Sequence, residues 1–193
     1  MACLTGKKII LGVSGGIAAY KSCDLVSRLV KAGASVQVVM TKNACKFITP
    51  YTFEALTGQP CLTTLFRRIK LQDTPFSHIE PVRNADLVII APATANLMAK
   101  LAHGLADDLL STLMLSVRCQ ALICPAMNVQ MWEHPATQAN VKTLKSYGYK
   151  LLGPDIGHLA CGMHGAGRLV EPSEIVKAAC RALKSLPKCT AHG

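Results

Sequence analysis

The chain has 193 residues, half of them hydrophobic, and carries 21 Lys and Arg against 11 Asp and Glu for a formal net charge of +10. That size suits one compact domain over residues 1–193, and apolar runs such as "LVIIAPA" and "ALICPAM" are too short to cross a bilayer. The basic residues are scattered and aromatics make up only 5%, which argues against a nucleic-acid platform and favours small phosphorylated ligands.

"KKIILGVSGG" reads as a buried strand running into glycines. "IAAYKSCDLVSRLVKAG" has helical apolar spacing, with Gly33 as a C-terminal cap. "ASVQVVMT" is a second strand; residues 43–57 look helical but are interrupted at Pro50, and 58–80 reads mostly as loop. "ADLVIIAPA" is a third strand, continuous enough to be buried on both faces. "TANLMAKLAHG" and "DDLLSTLMLSV" read as helices separated at Gly104, and "QALICPAM" as a fourth strand. A helix from Pro135 to Gly148, a short strand "YKLLGP", a glycine-rich loop "DIGHLACGMHGAGRLVEP" and a helix over about 173–186 complete the chain. Residues 187–193 are expected to form a flexible tail.

Alternating strands and helices imply a parallel sheet covered on both faces, with ligands beyond the C-terminal ends of the strands. The unusual residues cluster there. "GVSGGIAAYK" places Ser14, Gly15 and Gly16 at a strand-to-helix turn, where free N–H groups favour an anion. It matches neither GxGxxG nor GxxxxGK[ST], and a tight turn alone also explains the glycines. Thr41 in "MTKNA" and Thr94 and Asn96 in "APATAN" are either ligand contacts or helix caps. "PAMNVQMW" sets Asn128, two methionines and the only tryptophan where a strand hands over to a helix.

His78 in "FSHIEP" is a candidate acid–base group or a surface histidine, and Arg83 an anion contact or plain surface. Cys161 sits in a glycine-rich loop of a kind that can close on a substrate, and is either a proton donor or a spare loop thiol. The nine cysteines are odd in number and form no CxxC pair. Neither a metal site nor a disulfide scaffold is expected, and most are read as reduced, small apolar residues. The N-terminus lacks the apolar core of a secretory signal, so a cytoplasmic protein is expected.

Together "GVSGGIAAYK", "SHI", "APATAN", "PAMNVQMW" and "LACGMHGAGR", in that order, resemble the homo-oligomeric flavin-containing cysteine decarboxylases over roughly residues 6–180. The resemblance implies a three-layer, flavodoxin-like (Rossmann-like) α/β fold with a central parallel sheet, bound FMN, and assembly into trimers or dodecamers. It implies that Ser14, Gly15, Gly16, Ile17 and Thr41 hold the FMN phosphate end, and that Thr94, Ala95, Asn96 and Ala126 line the rest of the flavin. His78 would be catalytic. Asn128 would bind the substrate carboxylate, with Met131, Arg83, Ala160 and Gly162 nearby, and Cys161 would return a proton at the end.

The implied substrate is a phosphorylated cysteine conjugate. Oxidation of its CH₂–SH group to a thioaldehyde makes a β-thioxo acid, whose C=S accepts the electrons released with CO₂. A hydride and a proton then restore the saturated thiol, with no net redox change. Decarboxylation of a peptide's C-terminal cysteine, or flavin binding without turnover in a regulatory protein, are the competing readings. The sequence does not separate a standalone enzyme from a domain of a longer one.

Overall fold

The computed structural model describes residues 3–65, 84–160 and 162–184. Five strands, β1 (Lys8–Val13), β2 (Ser35–Met40), β3 (Leu87–Ala93), β4 (Gln120–Pro125) and β5 (Lys150–Leu151), form one sheet in the order β2-β1-β3-β4-β5. Every neighbouring pair is parallel. This is the three-layer, flavodoxin-like architecture expected from the alternation of elements.

Strand alternation divides the core between two faces. Ile9, Leu11 and Val13 of β1, with Leu87, Ile89 and Ala91 of β3, pack into one cluster with α1 (Ala19–Lys31), α2 (Pro50–Thr57) and the C-terminal helix Pro172–Lys184. Ile10, Val88, Ile90, Ala121 and Ile123 point the other way. They meet α3 (Ala95–His103), α4 (Leu109–Ser116) and a helix over Pro135–Ser146. Leu87 to Ala93 are all buried, as a central strand covered on both sides requires. Short polar residues start the helices: Thr94 accepts from the Leu97 N–H, and Asp108 and Ser111 form a reciprocal capping box on α4.

Three features depart from the sequence reading. First, a five-residue helix, α5 (Val129–Glu133), precedes the Pro135–Ser146 helix, α6, and is too short for periodicity to reveal. Second, the glycine-rich stretch read as a loop is a hairpin of β6 (Asp155–His158) and β7 (His164–Arg168), paired antiparallel. Its glycines and scarcity of β-branched residues hide the strands. Third, Cys3 is joined by a disulfide to Cys180 on the Pro172–Lys184 helix, α7, with Cα atoms 5.7 Å apart across 177 residues of sequence. Chain spacing says nothing about such a pair. Cys23, Cys45, Cys119 and Cys124 are free thiols, in line with the reading of most cysteines as reduced. Among the described residues, no helix is long and apolar enough to cross a membrane.

Candidate active site

A cavity of about 740 Å³ opens beyond the C-terminal ends of β1, β3 and β4, within the size range of small-molecule and cofactor sites. Ser14, Gly15, Gly16, Ile17, Thr41, Thr94, Ala95, Asn96, Ala126, Asn128, Met131 and Ala160 all line it. Twelve positions read from five separate stretches of sequence therefore meet in one place. Gly162 lies on the turn between β6 and β7, outside that lining set. His78, Arg83 and Cys161 fall outside the described residues.

One end of the cavity is built for an anion. The turn at Gly15–Ala18 leads into α1, whose N-cap position, Ala18, offers no side-chain cap and whose first turn holds no acidic residue. The N–H groups of Ala19, Tyr20 and Lys21 bond back to the carbonyls of Gly16, Ile17 and Ala18, so the positive end of the helix dipole faces the cavity through the Gly15–Ala18 turn. Gly15 is required by close approach: a Cβ there would lie 2.4 Å from Asn43 Cβ and 2.7 Å from its carbonyl carbon. Ser14 braces the turn. Its buried hydroxyl donates to the Pro92 carbonyl at 2.7 Å and accepts from the Thr94 N–H at 2.9 Å, tying the ends of β1 and β3 together. The Thr41 hydroxyl accepts from the Ala44 N–H at 3.2 Å. Pro92, Ala95 and Ala126, all small, line the wall beside this cradle and leave width for a planar group. A phosphate-bearing ring system fits these residues.

The other end presents a directed amide. Asn128 is the N-cap of α5, and its Oδ1 accepts from the Gln130 N–H at 2.8 Å. That bond fixes which way the carboxamide points. Its Nδ2 is aimed away from the helix and stands 3.6 Å from Met163 Sδ on the hairpin turn. A cap and a ligand donor are therefore compatible roles for one side chain. The hairpin is docked on this segment by the Met127 N–H, which donates to the Gly167 carbonyl at 2.9 Å.

Sequence reasoning missed much of the hairpin wall, where His158, Leu159 and Arg168 line the cavity, and also Tyr20 and Lys21 on α1. Lys21 Nζ reaches Glu171 Oε1 at 2.9 Å, across 150 residues of sequence. No local pattern signals that pair. Met127 lines the cavity and packs on the core, whereas Trp132 packs on the core. Asp108 also faces the cavity. Burial works against its charge, but Lys100 at 2.8 Å and the Ser111 bonds outweigh it and hold the carboxyl below its usual range.

A family model described as Flavoprotein matches residues 2–184. The coenzyme A biosynthesis bifunctional protein CoaBC of Bacillus subtilis is 48% identical over 176 residues, covering 91% of this chain and 43% of that protein. Its counterpart in Escherichia coli strain K12 is 49% identical over 173 residues, covering 90% and 42%. The chain thus spans less than half the length of these relatives. Among solved structures, a cysteine-to-serine mutant of PPC decarboxylase complexed with pantothenoylaminoethenethiol superposes with a TM-score of 0.82. It is 30% identical, with 93% of this chain and 99% of that chain covered. The FMN binding protein AtHal3 gives a TM-score of 0.80 at 32% identity, covering 93% and 97%.

Proposed function

The chain belongs to the Flavoprotein family, and from that premise we propose that it is an FMN-dependent carboxy-lyase converting 4'-phosphopantothenoylcysteine to 4'-phosphopantetheine in coenzyme A biosynthesis. The observation that carries the reading is the Asn128 carboxamide. Its oxygen is consumed by the α5 cap, and its N–H₂ is turned toward the hairpin in the same cavity as the anion cradle. A donor so fixed is complementary to the carboxylate that leaves.

In this reading the Ser14–Ile17 turn, the uncapped start of α1 and Thr41 hold the FMN phosphate, while Thr94, Ala95, Asn96 and Ala126 line the ring. When bound, the flavin supplies reversible hydride removal at the carbon that carries the thiol. Asn128 grips the carboxylate and keeps it aligned for loss of CO₂. Met131 and Met163 cover the thiol-bearing end with soft, apolar surface that excludes water. His78 is assigned the acid–base role and Arg83 an anion contact to the substrate, both from their place in the sequence motif. Ala160 and Gly162 flank Cys161, whose thiol protonates the carbon in the final step. The pantothenoylaminoethenethiol held by the cysteine-to-serine relative supports that role. Cys161→Ser should release CO₂ yet accumulate an enethiol product; full conversion to the saturated thiol would remove the assignment.

The chain is proposed to act as one domain, in the cytoplasm, within a homo-oligomer of three or twelve copies. Ile17 and Tyr20, 59% and 58% exposed at the cavity, support burial against another subunit. Light scattering on the purified protein tests this, and a monomer would refute it.

The central test is CO₂ release from 4'-phosphopantothenoylcysteine and from a peptide ending in cysteine. The first is expected to react and the second not. Turnover of the peptide alone would overturn the substrate. A colourless preparation that FMN cannot reconstitute would overturn the whole reading.

A further inference from the structure

We infer that Arg168 is the specificity-determining residue for the anionic tail of the substrate, its guanidinium receiving the phosphate monoester at the end remote from the reacting cysteine. The inference rests on the decarboxylase reading above and deepens it.

The hairpin has two ends with different equipment. At its tip, the turn through Gly162 brings Met163 against Asn128, where the reacting cysteine is placed. At its base, Arg168 of β7 stands opposite Asp155 of β6. The strand from His164 to Arg168 separates the two by roughly 13 Å at the usual rise per residue. The substrate is a linear, amide-linked chain of cysteine, β-alanine and phosphorylated pantoate. Eleven bonds separate the cysteine Cα from the phosphorus, about 13 Å in an extended chain, so a substrate laid along the hairpin with its carboxylate at Asn128 brings its phosphate to the base.

Arg168 is shaped for that task. It lines the cavity, and its side chain runs across Gly157 of β6, with Cδ and Nη1 3.4 and 3.5 Å from where a Cβ would stand. The absence of a side chain at Gly157 leaves the guanidinium its path. Nη2 bonds Glu171, which also takes Lys21 Nζ, so two cations share one carboxylate. Lys21, chiefly, holds the Glu171 carboxyl below its usual range and keeps this anchor ionised. A guanidinium has five N–H donors in a planar fork suited to phosphate oxygens. Glu171 engages one edge of Arg168 and fixes its orientation, and the side chain is still 45% exposed.

The experiment compares the FMN-loaded wild type with Arg168→Met and Arg168→Lys on two substrates, 4'-phosphopantothenoylcysteine and its dephosphorylated form. The wild type should prefer the phosphorylated substrate. Arg168→Met should lower kcat/KM for it by about 30-fold, mainly through KM, as loss of a charge-assisted contact implies, and leave the dephosphorylated substrate within about threefold. Arg168→Lys, which keeps the charge and the Glu171 pair but loses the fork, should fall between. Equal losses on both substrates would reduce Arg168 to a strut for the hairpin and overturn the inference. So would weakened FMN binding, read by flavin fluorescence, with the substrate preference intact, since the anion would then be the cofactor's phosphate. If the wild type turns over neither substrate, the decarboxylase reading itself fails and this inference with it. If it turns over both and the variants keep its preference, only the role of Arg168 fails.

Discussion

Met127 and Gly167 lock the hairpin to the end of β4: the Met127 N–H donates to the Gly167 carbonyl at 2.9 Å, and a Cβ on Gly167 would stand 2.2 Å from the Met127 carbonyl oxygen. The two backbones touch at a distance only glycine permits, and this contact sets Met163 over Asn128. Gly167→Ala must push the hairpin outward. Relief of such an overlap costs about 1–3 kcal/mol, spent at one edge of the fold. The expected outcome is a folded protein with a modestly lower Tm and a loss of activity out of proportion to it. Activity close to wild type would show that the hairpin tolerates displacement.

The double duty of Asn128 separates two substitutions. Asp is as good an N-cap as Asn, so Asn128→Asp should preserve α5 and leave the Tm nearly unchanged. It also replaces the outward N–H₂ with a carboxylate oxygen facing the substrate carboxylate. Like charges so placed cost several kcal/mol, and kcat/KM should fall at least ~100-fold. An Asn128→Asp enzyme of near wild-type activity would mean that the substrate carboxylate binds elsewhere.

The five parallel strands and the Gly15–Gly16 turn were legible because both are local signals. Runs such as Leu87–Ala93 are apolar without break, and a glycine pair between strand and helix has few uses. Thr94 was legible as either a cap or a ligand contact, whereas Asn128 was legible only as a polar interruption, its cap of the short α5 being unseen. The hairpin was hidden because Gly157, Gly165 and Gly167 carry no side chains to give a period-two pattern, although Gly165 and Gly167 are there to let β7 press on Val129 and Met127. The Lys21–Glu171 and Cys3–Cys180 pairs, 150 and 177 residues apart, exist only once α7 and β7 have docked beside α1 and the N-terminal segment. Sequence reading therefore recovered the cradle and missed the wall that faces it.

Acid stability should report on Asp108. Lys100 and the Ser111 N–H hold its folded carboxyl below the ordinary range despite burial. A depressed folded pKa contributes stability that is fully present above the unfolded carboxylate value, about 3.9, and is lost as pH falls through the folded value. Asp108→Asn keeps a capping side chain but cannot titrate. Between about pH 5 and pH 2 the wild-type Tm should therefore fall more steeply than that of Asp108→Asn, and parallel curves would refute the assignment.

Cys124 offers a test of the core itself. Its thiol is fully buried in β4 among Leu122, Ala91 and their neighbours, and burial pushes it up to about 12 from an ordinary 9.0. Only the thiolate reacts with alkylating reagents. At pH 8 the thiolate fraction is therefore about 1000-fold below that of an ordinary cysteine, before lack of access is counted. Iodoacetamide at pH 8 followed by peptide mass analysis should leave Cys124 unmodified in the native protein and alkylate it fully in denaturant. The half-buried Cys23 and Cys45, whose thiols burial raises less, should react first in the native state. Alkylation of Cys124 as fast as Cys23 without denaturant would mean that β4 opens to solvent, which a central strand of this sheet should not do.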